Sequence, residues 1–244
     1  MNETHTATTA TIATRARRAP SWVAQVLVVA GKDVAIELAT GEVVATSGFF
    51  AVLVVVLASL AFYAGPEAPE RVAPGVIWLS VAFAAVLALS RAWAREREER
   101  AFEGLVVSPI SRSALFAGKA IGVMAFTLVV EAMVIPLTAL LFGFDLVKFA
   151  PALALFAVLA AIGIAATGTL FGVMTVRTRA RDLVLAAVLL PLLAPTLGTA
   201  VAATRELFGG VPLHDLGDYV LLLLVFDGVF VIGGMGLFGA LIET

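Results

Sequence analysis

The stretch RAWAREREERAFEGLVVSPISRSALFAGK, residues 91–119, decides the organisation of this chain. It lies between two long apolar segments and holds 6 of the 16 Lys and Arg residues. A segment this rich in mixed charge and helix-favouring residues has to face water between two membrane spans. A solvated linker would instead be rich in Gly, Ser and Pro. The composition therefore predicts a docking surface on a membrane protein, and we name residues 91–119 the charged loop.

The composition of the whole chain requires a membrane. Of its 244 residues, 61% are hydrophobic and 14% are charged, with a mean hydropathy of +1.05, whereas soluble domains are about half apolar and a quarter charged. The absence of cysteine excludes disulfides, thiolate metal sites and cysteine nucleophiles. The sequence also lacks the patterns GxxxxGKS/T, HExxH and GxSxG. We therefore expect no enzyme, no metal site and no bound cofactor in this chain, and a pump built on it would take ATP hydrolysis from a separate subunit.

Six apolar runs reach or approach the roughly 20 residues that a helix needs to cross a bilayer. The runs are continuous rather than alternating, which favours helices over strands. The chain is therefore predicted to be an all-α integral membrane protein with six transmembrane helices. The runs cover residues 43–64, 74–94, 120–143, 149–175, 183–203 and 219–241.

The distribution of Lys and Arg predicts the orientation of these spans. With the N-terminus in the cytoplasm, the inner segments 1–42, 91–119 and 176–182 hold 13 of the 16 basic residues. Basic residues accumulate on the cytoplasmic side of membrane proteins. Both termini are therefore predicted to be cytoplasmic.

The first 42 residues contain two predicted segments outside the spans. Residues 1–20, rich in Thr and Ala, are expected to be a disordered cytoplasmic tail. Residues 21–42 are partly apolar, but Gln25, Lys32, Asp33 and Glu37 fall near one side of a helical wheel. This pattern favours an amphipathic helix lying in the membrane interface, followed by a permease domain over residues 43–244. The alternative is a short, weakly hydrophobic span that would reverse the sidedness of the N-terminus.

Two acids lie inside apolar runs, Glu131 in FTLVVEAMVIP and Asp227 in LLLVFDGVF. An ionised acid near the centre of a membrane helix costs on the order of 2.5–3.5 kcal/mol, so each should face the bundle interior, a partner or water. Either could line a substrate path or bind a cation. Alternatively, each fixes helix packing as a protonated or hydrogen-bonded acid, and Asp227 could lie near the outer interface. The threonines considered as hydrogen-bond partners are Thr127, Thr167 and Thr169.

Two other polar residues carry weaker predictions. Lys119 stands near the inner end of the third span and is expected to snorkel to lipid phosphates. His214 is the one histidine of the predicted outer loops, beside Asp215 and Asp218. A solvated side chain is the ordinary interpretation, although an extracytoplasmic metal or heme ligand would be sought there first.

Within the charged loop, a helix is predicted from Arg95 to Ala101, with Glu96 and Arg100 as an i,i+4 pair. Gly104 should end it, and Ser111 or Ser113 should cap the next helix. A short helix, a turn and a span together form a lever that would move the second and third spans.

Two GxxxG spacings, at residues 118–122 and 168–172, predict close helix approach.

The quoted residues also support a family resemblance. AREREERAFEGLVVSPISRSALFAGK resembles the ERExGxxExLxxSPxSR pattern of ABC-2-type export permeases. KDVAIELATGE, PGVIWLSVAFAAVLALSRAWAREREERAFEGL, TRARDLVLAAVLLPLLAP and LLLVFDGVF, in this order, are similar to the heme exporter protein B (CcmB) family. The resemblance covers about residues 30–244.

The resemblance implies a six-span permease of the prokaryotic inner membrane that pairs with itself and binds two copies of a cytoplasmic ATPase similar to CcmA. CcmC-like and small membrane subunits would complete the complex, with ATP bound in the partner and heme as a possible substrate. In such a system ATP hydrolysis supports release of a heme-loaded chaperone for cytochrome c maturation. Asp227 matches the Phe-Asp pair of the family's last span. The residues carried over as ATPase-coupling positions are Arg95, Glu96, Arg97, Glu98, Glu103 and Gly104.

The sequence therefore predicts the permease subunit of an ABC transporter for cytochrome c maturation, with membrane lipid around it and no nucleic acid as partner. The sequence departs from the family pattern after Glu99, where glycine is common and Arg100 and Ala101 stand here. Three alternatives stay open: an ABC-2-type exporter for a lipid, drug or glycan, an ion-coupled carrier that uses Glu131 and Asp227, and a scaffold without transport activity.

Overall fold

The computed structural model describes residues 20–62, 65, 67–98, 110–175 and 181–243, and over this part of the chain the secondary structure is helical, with no strand. The predicted tail therefore lies outside the described residues, except for Pro20. The helices are α1 (Trp22–Thr40), α2 (Glu42–Phe62), α3 (Ala68–Arg71), α4 (Ala73–Glu98), α5 (Arg112–Phe142), α6 (Leu146–Thr175), α7 (Arg181–Phe208) and α8 (Gly217–Glu243), with a 3-10 turn at Leu213–Leu216 before α8.

Six helices are long and apolar enough to cross a membrane, as predicted. These are α2, α4, α5, α6, α7 and α8, while α1 is not among them. The helix α5 begins at Arg112, eight residues before the predicted apolar run, because backbone hydrogen bonding continues where apolar composition ends. Ser111 caps it by accepting a hydrogen bond from the Ala114 backbone N–H at 3.3 Å, which confirms one of the two predicted caps.

The helices α1 and α2 run in the same direction as α5 and cover it in succession. The Trp22 side chain bonds Ser113, and further along the chain Gly48 contacts Met133. Gly41 separates the two helices in a left-handed conformation, with φ of 61°, that a residue with a side chain seldom adopts. Its N–H bonds the Glu37 carbonyl and closes α1.

Both predicted GxxxG spacings are places of close helix approach. A Cβ on Gly118 would lie 2.6 Å from the Val29 Cβ and 2.9 Å from the Val26 carbonyl oxygen, so this glycine lets α1 rest on the α5 backbone. On α6, Gly168 and Gly172 receive side chains from α4 in the same manner. These contacts confirm small-residue packing as the means by which helices approach in lipid.

The described residues bury one large apolar core and a small second cluster at Val43, Ala88 and Phe126, and they leave apolar side chains on the outer faces of the bundle. Trp78 on α4 is fully buried and donates its indole N–H to Thr204 on α7 at 2.9 Å. On the outside, Leu60 on α2, Leu140 on α5 and Ile232 on α8 are exposed. Exposed apolar side chains in this number suit helices surrounded by lipid tails.

Candidate functional site

The last turn of α4 and the first turns of α5 meet α1 through buried charges. Glu96 on α4 is buried and its Oε1 accepts hydrogen bonds from Lys119 on α5 and, at 2.8 Å, from Lys32 on α1. Lys119, also buried, reaches Asp33 on α1 with 3.1 Å to Oδ1 and 3.0 Å to Oδ2. Three helices therefore share one set of ion pairs.

A second pair extends this contact to the start of α2. The Arg95 guanidinium lies 3.4 Å from Oε2 of Glu37, whose side chain is buried. The Glu37 carboxylate also accepts the backbone N–H groups of Val43 at 3.3 Å and Val44 at 2.7 Å. Because these N–H groups have no acceptor within α2, Glu37 acts as a cap for α2 from the preceding helix.

We name Lys32, Asp33, Glu37, Arg95, Glu96 and Lys119 the ion-pair cluster. It holds three cations and three anions, so the charges within it balance. Burial alone would lower the pKa of Lys32, but the hydrogen bond and negative charge of Glu96 outweigh burial and raise this pKa above 10.5. Removing Lys119 or Glu96, which bond each other and partners on α1, leaves an uncompensated buried charge at a cost of about 3–5 kcal/mol.

Polar contacts also fix the first turn of α1 to the start of α5. The Gln25 Oε1 accepts the Ser111 backbone N–H at 2.8 Å, and the Gln25 Nε2 donates to the Pro20 carbonyl at 2.8 Å. The Trp22 indole N–H donates to Ser113 Oγ at 3.1 Å. Ser113 is therefore a partner of α1 rather than the helix cap.

This arrangement ties both ends of one loop to the same helix. The helix α4 extends to Glu98 and α5 begins at Arg112, so helix covers both ends of the predicted charged loop. The helix predicted from Arg95 is confirmed up to Glu98 and is continuous with the span before it. A displacement of either end has to carry α1 with it or break ion pairs.

The predicted coupling residues separate into two groups. Arg95 and Glu96 point inward to α1 and α5, so they do not form an exposed docking face. Arg97 and Glu98 occupy the last turn of α4, and their side chains lie outside the described residues. Arg100, Glu103 and Gly104 also lie outside, so the predicted Glu96–Arg100 pair stays a prediction.

Two features of the cluster differ from the sequence interpretation. The prediction that Lys119 snorkels to lipid is wrong, because α1 supplies Asp33 as a buried partner. The spacing of the polar residues predicts the polar side of α1, but it does not predict that this side packs on α4 and α5. The apolar residues Val23, Leu27 and Leu38 face outward instead.

The two intramembrane acids are buried, at 1% exposure for Glu131 and 4% for Asp227. None of their carboxylate oxygens has a hydrogen-bond partner among the described residues. Thr127 bonds the Val123 carbonyl instead, and the hydroxyls of Thr167 and Thr169 are also unpartnered within that part of the chain. The predicted hydrogen bonds between these acids and threonines are therefore not formed.

Asp227 lies deeper than the sequence suggested. Its Oδ1 and the Oγ1 of Thr196 on α7 lie 2.6 Å and 3.1 Å from the position that a Cβ on Gly163 would take. Gly163 is near the middle of α6, so Asp227 is not at the outer interface. Because Gly163 has no side chain, Asp227 of α8 and Thr196 of α7 can both lie against α6 at this point.

His214 lies in the exposed 3-10 turn, with its Nε2 3.5 Å from Asp215 Oδ1. No group of three or more potential metal ligands occurs among the residues that the structure covers. A role of His214 as a ligand therefore stays a prediction from the sequence.

Comparison with known proteins identifies the family. A family model described as CcmB protein matches residues 24–236, which is most of the chain. A Pseudomonas aeruginosa protein named heme exporter protein B is 28% identical over 166 residues, which cover 67% of this chain and 73% of the relative. The matched residues include the whole ion-pair cluster, α1 from its third residue, and the six long helices except the last seven residues of α8. The chain therefore belongs to the CcmB protein family, whose members are membrane permeases.

Proposed function

We propose that this chain is the permease subunit of an ABC transporter that exports heme or supports release of a heme-loaded chaperone during cytochrome c maturation. The family membership and the name of the Pseudomonas aeruginosa relative support heme as the substrate. The chain itself is a non-catalytic, multi-pass subunit. Its membrane is the prokaryotic inner membrane, with both termini in the cytoplasm and two copies of the chain in the complex.

The observation that carries the proposed mechanism is the attachment of both loop ends to α1 by the ion-pair cluster. A CcmA-like ATPase binds the loop through Arg97, Glu98, Glu103 and Gly104. CcmC-like and small subunits bind elsewhere on the bundle. ATP stays in the partner subunit, and this chain supplies no residue to hydrolysis.

Arg95 and Glu96 act as positioning residues in this mechanism. They directly precede Arg97 and Glu98 on α4 and form ion pairs with α1. When the ATPase dimer closes on ATP it binds one arrangement of the loop better than the other. This differential affinity shifts the bundle between two states, and the cluster transmits the shift because its ion pairs resist separation.

The test is charge reversal at Glu103 in the complex purified from native membranes with its ATPase. Glu103→Lys is expected to leave the protein in the membrane but to uncouple ATP turnover from chaperone release. The matched control is Glu67→Lys, which should behave as wild type. Glu67 is exposed and paired with Arg71, in the loop predicted to lie on the opposite side of the membrane. Loss of the Glu103→Lys protein from the membrane, or unchanged coupling, would contradict the mechanism.

Identification of the proteins that copurify tests the proposed partners separately. A Walker-motif ATPase together with heme-handling subunits is the expected result. An ATPase without heme-handling subunits would favour an ABC-2-type exporter of another substrate. Purification without any ATPase would contradict the coupling mechanism itself.

A second candidate, an ion-coupled carrier, is favoured by one observation. Glu131 and Asp227 are buried acids without hydrogen-bond partners in the described structure, as a proton- or cation-binding group would be. This candidate predicts transport without an ATPase, abolished by Asp227→Asn or Glu131→Gln. Under the ABC mechanism, both variants should still couple ATP hydrolysis to chaperone release.

A further inference from the structure

A groove with an apolar lining opens beside the first turns of α1, on the N-terminal side of the ion-pair cluster. It has a volume of about 430 Å³ and lies between α1, α5, α6 and α8. Apolar side chains from all four helices line it, among them Val26, Ala120, Ile162 and Met235. None of the described residues that line it is charged, so we expect its occupant to be apolar over its buried length.

The groove is open to the outside of the bundle, so a partner helix about 10 Å wide would rest over its opening. A flexible chain thinner than a helix can enter the groove and follow its apolar lining. The surroundings of the groove favour the flexible chain.

The position of the groove indicates where that chain comes from. Three of the lining helices are membrane-spanning by length and composition, so lipid tails surround them. Trp22 borders the groove and its indole N–H is fixed on Ser113, at the end of α5 that the basic residues predict to be cytoplasmic. Tryptophan at this level is typical of the boundary between tails and headgroups.

A positive charge lies at the same end. Arg112 is one helical turn before Phe116, which lines the groove, and its stem lies against Gly239 of α8. A lipid phosphate at this level would be attracted to the guanidinium, while the tail extends into the groove. Charge at the mouth and an apolar interior are the two parts of a phospholipid site.

We propose that this groove binds one acyl chain of a phospholipid from the cytoplasmic leaflet, with the phosphate on the side of Arg112. The site rests on the lining and on the position of Trp22, and not on the proposed transport function. Because α1 forms one wall, the bound chain fills space between α1 and α8 that side chains leave open.

Quenching of tryptophan fluorescence by brominated phospholipid tests this site on the full-length protein in nanodiscs. Trp78 and Trp93 are buried in the bundle, whereas Trp22 is 42% exposed, so tail-brominated phosphatidylcholine should quench Trp22. Trp22→Phe defines the remaining signal. Ala120→Phe fills the groove and should reduce quenching toward the Trp22→Phe level, with Ala117→Phe as a second filling variant if the first does not fold.

Ala150→Phe is the matched control, because Ala150 is exposed on α6 away from the groove. It should leave quenching unchanged, and native mass spectrometry should find one retained phospholipid per chain in wild type and Ala150→Phe but none in Ala120→Phe. Equal quenching and equal lipid retention in all three proteins would overturn the proposal. A wild-type Trp22 that is protected from quenching in a dimer would also overturn it, because a second copy would then cover the groove.

Discussion

Substitution of Lys119 by Met should destabilise the bundle far more than removal of an exposed cation. The Lys119 ammonium lies 3.0 Å from Asp33 Oδ2 and also bonds Glu96. At an effective dielectric constant of about 20, two unit charges about 3 Å apart attract by roughly 5 kcal/mol before desolvation is subtracted. Methionine keeps most of the volume, and among the described residues Lys32 is then the cation that remains paired with Asp33 and Glu96. The expected loss is about 3–5 kcal/mol in the free energy of unfolding.

Unfolding in mixed micelles, followed by circular dichroism, measures this loss. The control is Arg71→Met, because Arg71 and Glu67 form an exposed pair at 3.0 Å, which should contribute at most about 1 kcal/mol. Adding Glu96→Gln to Lys119→Met should recover part of the loss, since one buried negative charge is then removed. The reasoning is refuted if Lys119→Met costs no more than Arg71→Met, or if the two cluster substitutions are simply additive.

Three further predictions concern α1. Gly118→Ala should cost about 1–3 kcal/mol of unfolding free energy, because the added methyl group forces α1 away from α5. The control is Gly31→Ala, at a position of α1 with open space around it, which should be neutral or stabilising in the same assay. Glu37→Gln should weaken the start of α2 by about 0.5–2 kcal/mol, seen as faster hydrogen exchange at its first N–H groups, and unchanged exchange would contradict the capping role. Because the pKa of Lys32 is raised in the folded state, its contribution to the free energy of unfolding is complete at neutral pH and is lost only as pH rises above 10.5. Unfolding measured at increasing alkaline pH should therefore show a loss of stability in wild type that is absent from Lys32→Met.

The sequence predicted the elements of this fold well because each depends on local composition. The six spans follow from continuous apolar runs, and α1 follows from the spacing of Gln25, Lys32, Asp33 and Glu37. The Ser111 cap and the glycine spacings are also local signals. Each of these features involves residues within a few turns of one another, where periodicity is informative.

The pairing of charges could not be predicted, because it depends on which helix faces meet. Lys119 and Asp33 are 86 positions apart, and Lys32 and Glu96 are 64 apart. A periodic pattern identifies a polar face but not its partner. For Lys119 the sequence offered lipid phosphate as the nearest partner, whereas burial under α1 gave it two carboxylates. The depth of Asp227 was missed for the same reason, since Gly163 on another helix makes its site.

The helix α1 connects the ion-pair cluster to the proposed lipid groove. Its charged residues hold Glu96 and Lys119, and Val26, closer to its N-terminus, lines the groove while its carbonyl lies against Gly118. A rigid helix cannot move away from the cluster without changing the width of the groove. By thermodynamic linkage, a loop state that displaces α1 changes the affinity for the lipid chain, and the bound chain changes the preference between loop states by the same factor. The lipid would then act on coupling through α1, without contacting any residue of the loop.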